Sequence, residues 1–453
     1  MAEMAHFAKF AFAPDEVNDL TPTVICERVQ EGAEMDEAAK VNISQTSDLT
    51  FTAADFSLLT TDLKMKGSIP LSTAFVSLLA SILGSNATPL SARGPQTVNP
   101  YLDADQYVSP VYADQVVAAA ATIRANGDNA LADKALLVAE VPTFLWIDRI
   151  AAVTSIGGYL QDARTKQAQT ARKQVVNIEV YNLPDRDCSA KASSGELDIS
   201  QAGLARYESY IKAIGSQIES YPDVTIVIGL ETDSVGNLVS NQSVPKCANA
   251  AEAHINGSAF AVAWLSQYAN VSIYLDGAHA AWLGWPDNLG PTADILAEIV
   301  NRAKVINPAA AVRGVATNVS NYNGLGTSTN YGYDELDYVR NLAPLLTARG
   351  LPAHFIVDQG RSGQQDYPRS GGDWCNNKQA GFGPRPSSIT PDPLIDAIVW
   401  VKPGGQGDGT SDETAERFDE ACGSETSLKP APEAGAWFQE YFEQLLENAN
   451  PPF

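Results

Sequence analysis

The chain has 453 residues, 45% of them hydrophobic, and a formal net charge of −24. That length and apolar content suit one large domain with extra segments, and so acidic a surface argues against nucleic acid as a partner, because phosphate repels it. Only four histidines occur (His6, His254, His279, His354), no two at metal-ligand spacing, and the five cysteines form no CxxC pair, so neither a zinc knuckle nor any other cofactor is expected.

Residues 1–64 form an acidic stretch that contains Cys26 and shows no strong period. From Met65 to Ala87 the chain reads as a secretory signal peptide, with a short basic start, an apolar run and a small-x-small end at Ser85-Asn86-Ala87. The expected mature protein therefore begins near Thr88, is extracellular and monomeric, and touches no membrane. Residues 1–64 are then an upstream extension of the gene model or a disordered stretch, and 88–98 a short leader to the body over 99–453. The alternative is that residues 69–83 form a buried helix or an internal membrane anchor, for which they are short.

From Asn99 onward, continuous apolar runs alternate with segments of helical spacing. The runs predict strands over Phe144–Ile147, Val175–Tyr181, Val224–Leu230, Val271–Leu275, Val312–Ala316, Phe355–Val357 and Ile398–Val401. The intervening pattern predicts helices over Gly203–Ser220, Ala250–Tyr268, Thr292–Val305 and Asp334–Thr347. Such alternation indicates a parallel sheet covered on both faces. About seven strands with no Gly-rich phosphate loop favour an α/β barrel over a doubly wound sheet.

Asp187, Asp233 and Asp408 each fall just past a predicted strand. Strand ends converge on one face of a parallel barrel, and carboxylates gathered there can hydrolyse a glycosidic bond without a metal. Taken singly, each is equally an ordinary helix N-cap. The stretch Pro403–Pro432 is too long for a simple connection and carries Cys422. In a secreted protein, a Cys375–Cys422 bridge would pin this loop, and a Cys188–Cys247 bridge the loop after the second predicted strand.

The body resembles glycoside hydrolase family 6, the cellobiohydrolase II group of secreted cellulases. The resemblance is carried by Phe144-Leu-Trp-Ile-Asp148, Tyr181-Asn-Leu-Pro-Asp-Arg-Asp-Cys188, Pro245-Lys-Cys-Ala-Asn249, His279-Ala-Ala-Trp-Leu-Gly-Trp-Pro286, Asp358-Gln-Gly-Arg-Ser-Gly363, Gly372-Asp-Trp-Cys375, Trp400-Val-Lys-Pro-Gly-Gly405 and Asp408-Gly-Thr-Ser-Asp412. So many words in order over the whole body are specific where any one is weak. The resemblance implies a distorted barrel with fewer strands than eight, long loops roofing a substrate tunnel, and inverting hydrolysis of β-1,4-glucan. It implies Asp233 as general acid, Asp187 as its companion carboxylate and Asp408 as candidate base, with Arg361 and Lys402 pairing the last. Tyr181 and Ser193 match residues near the reacting sugar. Trp146, Trp282 and Trp374 match sugar platforms; Trp285 and Trp400 either join them or pack. Asp148, Asn318 and His279 are expected to hydrogen-bond hydroxyls of cellulose or cello-oligosaccharides.

Four words depart from the family's pattern. Its Glu-Cys before the third Asp reads Gln406-Gly407, its Glu-Pro-Asp at the acid reads Glu231-Thr232-Asp233, its Tyr-Asp-Leu-Pro carries Asn182, and its Ala-Gly-His reads Gly277-Ala278-His279. In the family that the body resembles, endo-acting members have the C-terminal loop shortened, so the resemblance together with the long Pro403–Pro432 loop implies an exo-acting cellobiohydrolase working from non-reducing ends. An endo-β-1,4-glucanase of the same fold is the first alternative. The second is a glucan-binding protein without turnover, which Gln406 and Thr232 keep open.

Overall fold

Residues 98–327, 333–370 and 372–453 are described by a computed structural model; the acidic extension and the leader peptide lie outside them. Among the described residues eight parallel strands form: β1 (Ala104–Gln106), β2 (Leu145–Ile147), β3 (Lys173–Val180), β4 (Thr225–Leu230), β5 (Val271–Asp276), β6 (Gly314–Thr317), β7 (Phe355–Asp358) and β8 (Ile395–Val399). Their order is β1-β3-β4-β5-β6-β7-β8, with β2 also on β3. The first half of β3 registers with β1, Ala104 opposite Lys173, and its second half with β2, Leu145 opposite Ile178. β1 is the strand beyond the expected seven.

The sheet curls into a distorted barrel. Among the described residues no ladder joins β8 to β1 or β2. The seam is crossed instead by the Phe144 N–H on the Trp400 carbonyl (3.1 Å) and the Trp146 indole on the Val401 carbonyl (2.9 Å).

β3 shows why these segments read as unbroken apolar runs. Side chains alternate across a strand. Val176, Ile178 and Val180 face the large core under the helices, while Val175 faces the barrel axis with Val227, Tyr274, Ile356 and Val399. With both faces buried, apolar residues occupy both sides, and the polar Asn177 and Glu179 are themselves enclosed in the barrel. The covering helices include Gly203–Glu219, Pro245–Leu265, Pro286–Ile306 and Glu335–Ala348. Two of them open on proline, whose missing N–H belongs to the unbonded first turn anyway.

A second core gathers helices Pro110–Ala125, Asn129–Val138 and Gln439–Glu447 around Phe382, Trp400 and Phe442. Trp400 is therefore packing, not platform: it is fully buried and stacked on Phe382 at 4.9 Å with 4° between planes.

Two long loops leave the C-terminal ends of β3 and β8. The first is tied by Cys188–Cys247 to the helix Pro245–Leu265, and the second by Cys375–Cys422 to the β7–β8 connection. The loops meet: the Lys191 N–H donates to Asp419 (3.0 Å), and Ala192 packs on Cys375 and Cys422. Among the described residues no helix is long and apolar enough to cross a membrane.

Candidate active site

The ends of β3, β4 and β8 bring Asp187, Asp233 and Asp408 to one cavity of about 530 Å³, lined also by His279, Trp282, Trp285 and Trp374. It adjoins a second cavity of about 690 Å³ that holds Asp148 and Gln406. Trp146, Tyr181, Ser193 and Lys402 line both, so the two are successive parts of one cleft.

Asp233 precedes the helix Ser234–Ser240, yet its side chain makes no capping bond. The carboxyl is left for the cavity. Its own N–H donates to Asp276 Oδ2 at 2.9 Å. Burial, then the Asp276 and Asp187 carboxylates, push the Asp233 carboxyl well above its ordinary value. Asp276 ends β5 and is itself pushed up to about 7 by burial, although the Ala278 and Asp233 N–H groups draw it down. Two buried carboxyls that repel one another disfavour double ionisation, which favours a proton held on this pair.

Asp187 sits in left-handed backbone (φ 57°) beside the Cys188 bridge. Burial raises its carboxyl, opposed by the Ser193 N–H it accepts at 2.7 Å. Arg186 fastens this loop. It donates to the carbonyls of Asp148 (2.7 Å), Ser193 (2.9 Å) and Tyr181, and its guanidinium lies 4.2 Å from the Tyr181 ring centre.

Asp408 has the opposite character. Burial alone would raise its carboxyl, but Arg361, then Lys402 and hydrogen bonds, hold it below the ordinary value. Arg361 Nη1 reaches both carboxylate oxygens at 2.8 and 2.7 Å, the Tyr322 hydroxyl donates at 3.0 Å, the Asn376 N–H at 2.8 Å, and Lys402 Nζ stands 3.7 Å away. Arg361 is buried behind Asp408, and Lys402 faces the cleft.

The aromatic residues are held with a face or edge toward the cleft. Trp146 meets Tyr181 edge-on at 5.7 Å. Trp282 donates to Ser240 Oγ (2.6 Å) and rests on Gly236, where a Cβ would come within 2.8 Å of the ring. Trp285 is a half-exposed rim residue against Tyr333. His279 is neutral, its ring drawn down to about 3 by burial and Arg369, with Asn323 at 3.3 Å from Nδ1. Gln406 does not touch Asp408; its amide donates to Gln115 at 3.2 Å.

Asn318 departs from the sequence expectation. It is fully buried, its amide N–H groups donating to the Asn323 and Asp358 carbonyls and Ser362 Oγ, its oxygen accepting from the Asn323 N–H. Such a satisfied group braces the barrel mouth and has nothing left for a sugar hydroxyl. Sequence reasoning missed Asp276, Tyr322 and Asn376. Asp276 carries the same acid-after-strand signature as Asp187; the other two arrive from distant loops with no local signal. Asp187, Glu231, Asp233, Ala278, Asn318, Ser320 and Asn376 all have positive φ. Backbone strain of this kind persists only where the surroundings enforce it.

The model of the family described as glycosyl hydrolases family 6 matches residues 101–449. Exoglucanase 3 of Agaricus bisporus is 50% identical over 360 residues, 78% of this chain and 79% of that protein. The 1,4-beta-D-glucan cellobiohydrolase C of Emericella nidulans is 46% identical over 364 residues, 78% and 79% of the two chains. The solved structure of cellobiohydrolase II from Humicola insolens, in complex with glucose and cellotetraose, superposes with a TM-score of 0.74 at 44% identity, covering 79% of this chain and 100% of that one.

Proposed function

The chain belongs to glycosyl hydrolases family 6, and on that premise we propose that it acts as a secreted 1,4-β-D-glucan cellobiohydrolase, releasing cellobiose from non-reducing ends of cellulose with inversion. The carrying observation is a pair of oppositely tuned carboxyls on one cavity, Asp233 raised and Asp408 lowered. Environments that push two acids apart assign a proton donor and an ionised partner.

In this reading Asp233 gives its proton to the glycosidic oxygen as the bond from that oxygen to the anomeric carbon breaks. A water attacks the opposite face of that carbon, and its released proton passes toward Asp408. Asp187 keeps negative charge near the sugar ring as positive charge develops there. Asp408, clamped by Arg361, stays ionised in acid and is a weak resting place for the proton, which then returns to solvent. Indole rings match the apolar faces of glucose units at low entropic cost, a role suited to Trp146, Trp282 and Trp374.

The exo assignment is supported by the roof: the β3 and β8 loops touch through Lys191–Asp419 and through Ala192 on the Cys375–Cys422 bridge. Gln406 lines the cleft away from the acids, so its missing charge bears on sugar binding more than on proton transfer.

The test is incubation of the protein from Thr88 onward with cellohexaose, following products by chromatography and anomeric form by NMR. Cellobiose as main product, first appearing as the α-anomer, is the expected result. Mixed products with the same inversion would assign an endoglucanase, and binding without product would assign a glucan-binding protein.

A further inference from the structure

One layer below the cleft, the barrel interior holds a carboxyl that the mechanism above does not use. Glu179 follows Val175 and Asn177 along the axis-facing side of β3, and Tyr181 follows it at the mouth. It is buried at 1% exposure. Its Oε1 accepts the Thr232 hydroxyl at 2.7 Å, and its Oε2 has no hydrogen-bond partner. Directly across the ladder stands Gly229, where a Cβ would lie 2.0 Å from that Oε2. The strand pair thus gives up a side chain on β4 to admit a carboxyl on β3.

A buried carboxyl with an unpaired oxygen is costly, and an apolar residue would serve stability better at this place. Burial pushes the Glu179 carboxyl well above the usual range, against the Thr232 bond; Asp276 on β5, Glu231 after β4 and Asp358 on β7 push it further. Its one directed contact is to Thr232, between Glu231 (φ 62°) and Asp233 (φ 67°). Glu231 is held by the Asn182 and Leu183 N–H groups and the Tyr207 hydroxyl, and the Asp233 N–H by Asp276. The Glu179 bond is what holds the Thr232 side chain between these two left-handed residues.

We propose that Glu179 is a positioning residue: through the Thr232 hydroxyl it fixes the turn that aims the Asp233 carboxyl at the leaving oxygen. The proposal rests on the reading of Asp233 as the general acid. A turn free to rotate misdirects the proton donor, and misplacement near 1 Å reduces rates by about 100-fold.

The test compares two substrates, cellotetraose, whose sugar leaving group needs the proton, and β-cellobiosyl fluoride, whose fluoride leaves with far less help. Thr232→Val keeps the shape and deletes the hydroxyl. It is expected to lower kcat for cellotetraose by roughly 10- to 100-fold, to change kcat for the fluoride by less than about threefold, and to leave KM nearly constant. Thr232→Ser restores most of the lost rate. Glu179→Leu in the Thr232→Val background adds little, since both delete one interaction. Equal losses on both substrates, or a cellotetraose rate within about twofold of the parent, overturn the proposal. Asp233→Asn is run alongside. If it shows the selective loss and Thr232→Val does not, positioning fails and the acid assignment stands. If Asp233→Asn is not selective, the acid assignment fails and the proposal falls with it.

Discussion

Replacing Arg361 with methionine isolates the clamp on Asp408. The substitution keeps a long unbranched side chain and removes the charge. In the parent, Arg361 and Asp408 side chains are 1% and 7% exposed, and one guanidinium nitrogen binds both carboxylate oxygens. Removing one partner of a buried pair costs about 3–5 kcal/mol. Asp408 would still keep the Tyr322 hydroxyl, the Asn376 N–H and Lys402 at 3.7 Å, so the lower end, about 3 kcal/mol, applies. Over roughly 350 folded residues at about 2.1 cal/mol/K each, that lowers Tm by about 4 °C. The sign of the pH dependence follows from the direction of the shift. Asp408 is held below its ordinary 3.8 in the folded protein, so its contribution is present above that value and is lost as pH falls through the depressed one. Calorimetry from pH 7 down to pH 3 should therefore show the full deficit near neutrality and convergence with the parent in strong acid. A deficit below about 1 °C at neutral pH, or one that grows toward acid, would refute the reasoning.

Three further outcomes are expected. Asp276→Asn removes a charge that raises Asp233, so the basic limb of the kcat/KM profile should move to lower pH; an unmoved limb would separate Asp276 from the proton donor. Gly236→Ala places a methyl 2.8 Å from the Trp282 ring; the tilted platform should lose about 1 kcal/mol, roughly a fivefold weaker cello-oligosaccharide Kd by titration calorimetry. Cys375→Ser with Cys422→Ser opens a loop closed over 47 positions; it should cost about 4 kcal/mol of stability. The same variant should raise internal cutting, read as faster viscosity loss in soluble substituted cellulose.

The strands from β2 to β8 were legible because their faces are largely buried, which leaves apolar runs such as Ile226-Val-Ile-Gly-Leu230. β1 was not: Ala104-Asp-Gln106 is three residues long and pairs only with the lower half of β3. The three acids stood out by position after strands, and the words around them by resemblance. Part of what holds them did not. Arg361 was expected beside Asp408, but Tyr322, after β6, and Asn376, on the β7–β8 connection, also set it, and nothing local in those two segments announces a shared partner. Asn318 misled for a related reason: an asparagine beside a cleft motif looks available until the backbone carbonyls around it claim its amide. Trp400 sits in a matching word, yet the second core takes it whole.

The two bridges also define what can slide and what must thread. Each closes its own loop, 188 to 247 and 375 to 422, and neither crosses from one half of the roof to the other. Where the halves touch, the joint is one backbone N–H on Asp419 and the packing of Ala192. Among the described residues no covalent ring encircles the passage. In topological terms the enclosure is a clasp: on the proposed reading, a polymer without a free end would enter sideways by parting that hydrogen bond and a small apolar contact, so a weaker joint would load glucan from its middle more often.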